Sequence, residues 1–356
     1  MAGKKRLLFT GGGTLGHVMP NLPLIRHYQA QGYEVRYIGS YKGAERVFIE
    51  ALGIPYSPIR TGKLRRYFDW QNFLDIFNVL VGLIQCLWLL LRWRPRGLFS
   101  KGGYVALPPV IAAGLLRIPV VIHESDRTPG LTTRLSKRFA TKICVAFQDT
   151  TAFFDAQKVH WTGLPVREAV FTADPKVGAA FLGYDGTRPI LLVFGGSLGA
   201  AFLNDFVRTQ VRAGHLDAYD IVNICGKGKL DPTLQAANYR QYEQLDADFL
   251  PIMKAAEVVI TRGGATSLFE LLAMKKPPII VPLSKQSSRG DQIDNAAYFT
   301  ALGVAYTIEE EAVTWAAIQQ LLNQLEQERT QLVRKIEQLE FGQATQKVIA
   351  TIDIVL

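Results

Sequence analysis

Cysteine is scarce in this 356-residue chain: it occurs at Cys86, Cys144 and Cys225 only. No CxxC pair is present, so these residues indicate neither a zinc site nor a disulfide framework. Free thiols are typical of proteins in a reducing cytosol. The first apolar run, Leu7-Leu8-Phe9, ends at a glycine triplet and is too short for a signal peptide, so export by that route is not expected.

Acidic side chains are also comparatively few, since 31 Asp and Glu stand against 40 Lys and Arg, for a formal net charge of +9. The surplus favours an anionic partner, and phosphate, nucleic acid and an acidic membrane surface all remain open. A hydrophobic content of 48% excludes a disordered chain. A chain of this length is longer than a typical single domain, so two domains are predicted.

The stretch from Val258 to Asn295 has the pattern of a nucleotide-sugar site. A β-branched strand is expected to end at Thr261-Arg262-Gly263-Gly264, and Ala265 opens a helix to about residue 274. Glycine lets the backbone approach a ligand closely, and the first N–H groups of a helix lack partners inside it, so pyrophosphate is the favoured guest. A carboxylate at Glu270, on the same helix face as Thr266 and Ser267, suits the two hydroxyls of a ribose.

A polar loop, Ser284 to Gln292, follows the next expected strand, at a place where a sugar would be recognised. The alternative is that each glycine turn is an ordinary strand-to-helix connection and each polar loop is ordinary surface, because short motifs often occur by chance. Each glycine turn or polar loop, taken alone, favours an ordinary connection or ordinary surface. The pieces taken together and in order favour the nucleotide-sugar site.

A glycine-rich turn also follows the first expected strand. Gly11, Gly13 and Gly16 match the G-x-G-x-x-G spacing of dinucleotide-binding folds. The second strand, residues 34–38, ends without an acidic residue, which disfavours NAD binding. His17 lies in this turn, where it is either structural or placed to point into a cleft as an acid or base.

Two further loops follow expected strands in the first half, Lys101-Gly102-Gly103-Tyr104 and His123-Glu124-Ser125-Asp126. Such loops gather at one edge of a parallel sheet. Residues 162–167 interrupt the alternation of strand and helix and are expected to form the interdomain linker. In the second half, a strand at 190–194 leads to another glycine loop, 195–200, and Phe249-Leu250 is expected to start a loop.

The segment 73–93 has about the length of a membrane span, but Asp75, Asn78 and Gln85 interrupt it. It is a spanning helix, a crossover helix buried against the sheet, or a helix that also presents an apolar edge to a bilayer surface. Flanking basic residues favour anionic leaflets in the third case. These residues are Lys63, Arg65, Arg66, Arg92, Arg94, Arg96 and Lys101.

Asp246-Ala247-Asp248 spells the DxD with which many metal-dependent glycosyltransferases bind manganese. It precedes an expected strand of a doubly wound domain, so no metal site is predicted there. The last segments, about 314–340 and 343–349, have the charged amphipathic pattern of helices.

Several motifs together resemble the MurG family, cytoplasmic transferases that add N-acetylglucosamine to undecaprenyl-pyrophosphoryl-muramoyl-pentapeptide and so turn lipid I into lipid II. The resemblance covers essentially the whole chain. It rests on Gly12 to Pro20, Ser100 to Val105, His123 to Asp126, Pro129 to Thr132, Thr162 to Arg167, Gly195 to Ala200 and Arg262 to Glu270.

The resemblance implies an α/β fold of two Rossmann-like doubly wound domains facing across a cleft, the GT-B glycosyltransferase architecture. Residues 1–161 would be the acceptor and membrane-facing domain, and 162–340 the UDP-sugar domain. Residues 341–356 would form a C-terminal helix that packs back on the N-terminal domain. The protein would lie peripherally on the cytoplasmic face of the cell membrane.

The resemblance further implies that UDP-N-acetylglucosamine is the donor, that undecaprenyl-linked lipid I is the acceptor and that an anionic membrane surface is a partner. No nucleic acid, metal or cofactor is expected. The residues implied for the donor are Thr14, Gly16, Arg167, Ser197, Leu250, Arg262, Thr266, Ser267, Glu270, Asp291, Gln292 and Asn295. Those implied for the acceptor are Gly13, His17, Tyr104, His123 and Asp126. His17 and Glu124 are the catalytic candidates, and Asp126 is a competing base.

Within the donor set, Arg167 and Ser197 would reach the phosphates, backbone groups at Leu250 would meet uracil, and Gln292 would contact the sugar hydroxyls. The chain departs from the family at three positions: the family often has glycine at Leu15, asparagine at Asp126 and glutamine at Asp291. Three other functions stay open: a nucleotide-sugar epimerase, a diacylglycerol glycosyltransferase, and a non-catalytic membrane partner, which should lack an intact donor loop.

Overall fold

The computed structural model describes residues 5–62, 71–196, 199–339 and 341–356, without the side chains of 44 and 71–74. The chain separates into two compact units. The first unit is Met1–Arg167 with Gly342–Leu356, and the second is Glu168–Phe341. The boundary therefore follows the last residue of the segment expected to be the linker.

The first unit contains a parallel sheet with the order β3-β2-β1-β4-β5-β6-β7. Its strands are β1 (Arg6–Thr10), β2 (Glu34–Ser40), β3 (Tyr56–Ile59), β4 (Gly97–Ser100), β5 (Val120–Glu124), β6 (Lys142–Val145) and β7 (Val159–Trp161). Its helices before the boundary are α1 (Asn21–Ala30), α2 (Ala44–Ala51), α3 (Gln71–Trp93), α4 (Leu107–Leu115) and α5 (Leu131–Ser136).

The second unit contains a parallel sheet with the order β10-β9-β8-β11-β12-β13. Its strands are β8 (Ile190–Phe194), β9 (Asp220–Ile224), β10 (Tyr239–Tyr242), β11 (Val258–Thr261), β12 (Ile279–Ile280) and β13 (Tyr306–Thr307). Its helices are α6 (Glu168–Thr172), α7 (Pro175–Leu182), α8 (Ala201–Arg212), α9 (Phe249–Ala255), α10 (Ala265–Ala273), α11 (Asp291–Ala301) and α12 (Trp315–Glu337).

The last helix, α13 (Ala344–Asp353), belongs to the first unit and packs against α1 and β6. Val348 and Ile352 of this helix are buried in the same core cluster as Tyr28 of α1. The hydroxyl of Tyr28 donates a hydrogen bond of 2.8 Å to the carboxylate of Asp353.

The central strands are buried on both faces. In β1, Leu7 and Phe9 lie in one core cluster while Leu8, between them, lies in another. Helices cover both faces of a parallel sheet, which is why such strands are almost continuously apolar. The short apolar runs in the sequence are therefore central strands of covered sheets.

Both sheets have the same doubly wound order, in which the direction of strand addition reverses once. The reversal falls between β1 and β4 in the first unit and between β8 and β11 in the second. Ligands of open α/β sheets bind beyond the carboxyl ends of the strands at this point. The fold therefore directs attention to the loops that follow these four strands.

Two sequence expectations are wrong about local structure. Phe249-Leu250 begins α9 rather than a loop, and the backbone N–H of Ile252 donates to the carbonyl of Asp248 at 3.0 Å as its first helical bond. The polar loop after β12 ends at Gly290, because Asp291 and Gln292 already form the first turn of α11.

Helix α3 contains the one stretch among the described residues, Asp75–Trp93, that is long and apolar enough to cross a membrane by length and composition. Its mean hydropathy is 1.8, and 22% of the window is buried. Cys86, Leu90 and Trp93 are buried in a core cluster of the first unit. The apolar residues exposed along the rest of the helix are Ile76, Phe77, Leu80, Ile84, Trp88 and Leu91.

The prediction that basic residues flank α3 at a membrane surface is wrong for one residue, Lys101. Lys101 is 1% exposed and lies inside the first unit, so it is not available to a membrane surface. Arg92, Arg94 and Arg96 are exposed at the end of the helix. The predicted basic residues before the helix, Lys63, Arg65 and Arg66, lie outside the described residues.

Candidate active site

The loop after β11 forms the strand, turn and helix that the sequence predicts. Gly264 is the N-cap residue of α10, and no side chain caps this helix. A Cβ added to Gly264 would meet no atom within 4 Å, so the space in front of the helix is open. An anion can therefore approach the N–H groups at the start of α10, which have no intrahelical partners.

Residues of α11 hold this glycine turn. The side-chain oxygen of Gln292 accepts hydrogen bonds from the backbone N–H groups of Gly263 (3.2 Å) and Leu283 (3.0 Å). The side-chain amide of Asn295, which is fully buried, donates to the carbonyl of Gly263 at 3.1 Å. A Cβ on Gly263 would lie 2.4 Å from the carbonyl oxygen of Gln292, so only glycine allows this close approach.

Helix α10 brings Thr266, Ser267 and Glu270 together, as the spacing predicts. Glu270 is 4% exposed, and the other two side chains are half-buried. The helical period places Thr266 one turn before Glu270 on the same face. The carboxylate of Glu270 and the hydroxyls of Thr266 and Ser267 therefore lie in the first two turns of the helix, next to its open N-terminus.

The side chain of Arg262 points into the interior of the second unit. Its guanidinium donates to the backbone carbonyls of Val281 (3.1 Å) and Pro282 (3.3 Å) and pairs with Glu310. The side chain is 7% exposed. These contacts join the ends of β11 and β12, so the geometry gives Arg262 a supporting role behind the loop. Its predicted contact with the donor stays a prediction.

The loop after β8 lies beside the turn of β11, because the two strands are paired along their length. Gly199 has φ of 69°, and a Cβ there would lie 1.9 Å from the carbonyl oxygen of Cys225, so this position requires glycine. Helix α8 begins without a side-chain cap. Two uncapped helix N-termini therefore flank the reversal point of the second sheet. Ser197, predicted to contact phosphate, lies outside the described residues.

Three other residues, Leu250, Asp291 and Arg167, are predicted to bind the UDP-sugar. Leu250 is buried in the first turn of α9, where its backbone N–H has no intrahelical partner. The carboxylate of Asp291 pairs with Arg289 at 3.0 Å at the start of α11. Arg167 is the last residue of the first unit.

In the first unit, the loops after β1 and β4 are packed against each other. The N–H of Gly12 donates to the carbonyl of Gly102 at 3.3 Å. A Cβ on Gly103 would lie 2.0 Å from the carbonyl oxygen of Gly12 and 3.1 Å from the His17 ring. A Cβ on Gly13 would lie 2.7 Å from the ring of Tyr104. The fold thus brings Gly13, His17 and Tyr104 together.

Thr14 and Gly16 lie in this same loop of the first unit. The carbonyl of Thr14 accepts from the N–H of His17 at 3.1 Å, which begins a short 3-10 turn at residues 15–17. The structure therefore groups both residues with the predicted acceptor loop and not with the glycine turns of the second unit. Their predicted contact with the donor stays a prediction.

The carboxylate of Glu124 is occupied by the loop that follows β5. It is 4% exposed, and it accepts from the N–H groups of Ser125 (2.9 Å), Asp126 (3.0 Å) and Gly130 (3.0 Å). Both oxygens of this carboxylate therefore accept hydrogen bonds from the backbone of the loop. This geometry supports a role in holding the loop, and the predicted catalytic role of Glu124 stays a prediction.

His123 is similarly used inside the first unit. Its ring is 2% exposed, and Nε2 lies 2.9 Å from the carbonyl of Gly163. Burial, followed by the nearby charge of Lys101, lowers the pKa of His123 well below its usual value, so the ring is neutral at pH 7. The ring is thus held inside the first unit, and its predicted contact with the acceptor stays a prediction.

Lys101 was missed as a residue of the site. Its ammonium contacts the hydroxyl of Ser125, so it joins the loops after β4 and β5. Burial lowers its pKa to about 8, although the charges of Glu124 and Asp126 oppose the shift. The sequence places Lys101 directly before two glycines, but it contains no signal that the side chain turns inward.

Family models match both halves of the chain. The glycosyltransferase family 28 N-terminal domain matches residues 7–145, and the family 28 C-terminal domain matches residues 190–352. Together the two models account for most of the sequence.

Curated relatives are similar over nearly their full length. The UDP-N-acetylglucosamine–N-acetylmuramyl-(pentapeptide) pyrophosphoryl-undecaprenol N-acetylglucosamine transferase of Legionella pneumophila (strain Lens) is 42% identical, over 97% of this chain and 96% of the relative. The protein of the same name from Clostridium tetani (strain Massachusetts / E88) is 42% identical over 98% of each chain.

Solved structures share the fold. Acinetobacter baumannii MurG has a TM-score of 0.75 at 24% identity and covers 99% of each chain. A UDP-N-acetylglucosamine 2-epimerase described as putative, from Listeria monocytogenes, has a TM-score of 0.67 at 12% identity, with 98% and 96% covered. The fold alone therefore does not separate transferase from epimerase, whereas the full-length identity to the curated relatives does. The chain has the GT-B architecture and belongs to glycosyltransferase family 28 and, within it, to the MurG family.

Proposed function

We propose that this enzyme transfers N-acetylglucosamine from UDP-N-acetylglucosamine to undecaprenyl-pyrophosphoryl-N-acetylmuramoyl-pentapeptide, which converts lipid I into lipid II. Relatives that are 42% identical over nearly the whole chain are named for this reaction. The observation that carries the proposal is the pair of uncapped helix N-termini, those of α8 and α10, at the reversal point of the second sheet.

The second unit would bind the donor. The diphosphate would lie at the starts of α8 and α10, where backbone N–H groups and the helix dipoles favour negative charge. Glu270, one turn beyond Thr266, would accept hydrogen bonds from the ribose hydroxyls. The backbone at Leu250 would meet uracil, and the side-chain amide of Gln292 would donate to the sugar.

The first unit would bind the lipid acceptor with the loop that carries Gly13 and His17 and with the ring of Tyr104. An acceptor hydroxyl would attack the anomeric carbon as the bond from that carbon to the phosphate oxygen breaks, with inversion. His17 would accept the proton, and UDP would carry away the negative charge. The charge on the leaving UDP would be stabilised by the helix N-termini and Arg167, without a metal ion.

We also propose that the protein lies peripherally on the cytoplasmic face of the membrane through α3. Its buried edge, with Cys86 and Leu90, is part of the core of the first unit, which argues against a spanning role. Its other edge exposes large apolar side chains, and Arg92 lies 5.6 Å above the ring of Trp88. Apolar side chains next to cations are typical of surfaces that bind anionic leaflets.

The decisive experiment is to incubate the protein with UDP-N-acetylglucosamine and lipid I and to determine the mass of the lipid. The expected product is heavier by one N-acetylglucosamine residue and appears together with UDP. Diacylglycerol in place of lipid I should give no product. Conversion of UDP-N-acetylglucosamine into an epimer without an acceptor would replace the proposal with the isomerase alternative.

A further inference from the structure

Glu45 is a buried charged residue that the proposed reaction does not use. It lies in the first turn of α2 and is 0% exposed. One carboxylate oxygen accepts from the N–H of Ser40 at 3.1 Å and from the hydroxyl of Ser40, and the other accepts from the N–H of Gly13 at 3.3 Å. This carboxylate therefore joins the end of β2 to the glycine loop after β1.

The backbone is closed around this carboxylate by glycine. A Cβ on Gly12 would lie 2.7 Å from the carboxylate carbon of Glu45, and a Cβ on Gly43 would lie 2.1 Å from an oxygen. Among the ion pairs of the described residues, none joins Glu45 to a lysine or arginine. The hydrogen bonds from Ser40 and Gly13 are therefore what offset the cost of burying the charge.

The same carboxylate acts on Tyr104. Burial, followed by the nearby charge of Glu45, raises the pKa of Tyr104, so the phenol lies close to this carboxylate. The ring of Tyr104 packs directly against Gly13, and the N–H of Gly13 donates a hydrogen bond to Glu45. Glu45 thus holds the loop that carries His17 at Gly13, the residue against which Tyr104 packs.

We propose that Glu45 is a positioning residue for the transfer reaction: it fixes the Gly13 amide, against which the ring of Tyr104 packs, and so sets the acceptor-binding loop. The inference rests on the proposed function, because it assigns that loop to the lipid acceptor. It adds a residue that touches neither substrate. Since Glu45 belongs to the first unit, its effect should fall on the acceptor and not on UDP.

The test compares Glu45→Gln with Glu50→Gln, a matched change on the same helix at an exposed residue that pairs with Arg46. The amide keeps the size of the carboxylate but has one acceptor oxygen instead of two, so a backbone donor loses its partner. Hydrogen exchange of the Gly13 amide should become about tenfold faster, the size expected for one lost hydrogen bond. Glu50→Gln should leave it unchanged.

Kinetics supply the second readout. Glu45→Gln should raise the KM for lipid I, or lower kcat, by about tenfold or more, while UDP affinity measured by calorimetry stays within about twofold of the unmodified protein. Glu45→Asp retains the charge and should recover part of the loss. A purely structural role would instead lower thermal stability and UDP affinity in parallel.

Unchanged exchange at residues 11–17 in Glu45→Gln would overturn the proposal, and so would a parallel loss of stability and UDP affinity. Failure of the unmodified protein to glycosylate lipid I would overturn the proposed function instead. The exchange comparison would still decide whether Glu45 fixes the loop, because it requires no substrate.

Discussion

The side-chain oxygen of Gln292 accepts a hydrogen bond of 3.2 Å from the backbone N–H of Gly263. This bond connects the helix expected to contact the sugar with the turn expected to contact the phosphates. The same oxygen accepts from Leu283 at 3.0 Å, so Gln292 also fixes the chain after β12. Gln292 therefore holds these two loops and is also the residue expected to contact the donor sugar.

Gln292→Ala should weaken the loop and the sugar contact together. Two N–H groups lose their acceptor, so the free energy of unfolding should fall by about 1–3 kcal/mol. The KM for UDP-N-acetylglucosamine should rise by about tenfold or more, and affinity for UDP should fall less. Urea unfolding, kinetics and calorimetry measure these effects, with the exposed Gln319→Ala on α12 as the control. Equal losses for UDP and UDP-N-acetylglucosamine would exclude a contact with the sugar.

Glu270→Ala should weaken nucleotide binding by about 2–4 kcal/mol, because charge-assisted hydrogen bonds to the ribose would be lost in a closed site. Calorimetry with UDP should therefore show a Kd raised by roughly 30-fold or more. Glu326→Ala, at an exposed position of α12, is the control and should bind UDP normally. A wild-type Kd in Glu270→Ala would remove Glu270 from the ribose site.

His17→Ala should lower turnover by roughly 10²–10⁴ and remove the acidic limb of the rate profile, with little change in lipid I affinity, if His17 is the base. The reason is that an imidazole ordinarily titrates near neutral pH and can accept the acceptor's proton. His27→Ala, on α1 and outside the loop, is the control. Normal turnover at saturating lipid I with weakened affinity would make His17 a binding residue and favour Glu124 or Asp126 as the base.

Ile84→Glu should reduce binding to vesicles that contain anionic phospholipid by about tenfold or more. Ile84 is 67% exposed on the apolar edge of α3, and inserting a charge there removes apolar contact and adds repulsion. Vesicle sedimentation should also show binding that falls as salt rises. Val47→Glu, at an equally exposed apolar residue of α2, should bind normally. Release of the protein by detergent alone would indicate a spanning helix instead.

Lys101→Met should change the pH dependence of stability. Because the folded pKa is about 8 and the ordinary value is 10.5, the unfolded chain binds more protons between these pH values. The stability of the unmodified protein relative to Lys101→Met should therefore rise from about pH 8 to 10.5, by roughly 3 kcal/mol at most. Urea unfolding at pH 7, 9 and 10 measures this difference. The exposed Lys137→Met should show no such rise, and a flat difference for Lys101→Met would mean that the ammonium is not destabilised by burial.

The sequence by itself determined the elements and the glycine turns, because these depend on residues close together in the chain. The β-branched run at 258–260, the two glycines after Arg262 and the helix formers after Ala265 fix strand, turn and helix by local preference. Spacing alone also placed Thr266 and Glu270 on one helix face. The strand alternation further indicated the doubly wound sheets and hence the edge where the loops gather.

The tertiary structure decided what the polar side chains do there, because their partners are distant in the sequence. Glu45 meets Gly13 across 32 residues, Gln292 meets Gly263 across 29, and Lys101 meets Ser125 across 24. No local pattern specifies such pairs, since each depends on strand order and on the burial that sheet packing creates. For that reason the sequence correctly indicated a basic surplus but assigned Lys101 to a membrane flank, whereas folding places its ammonium inside the first unit against Ser125.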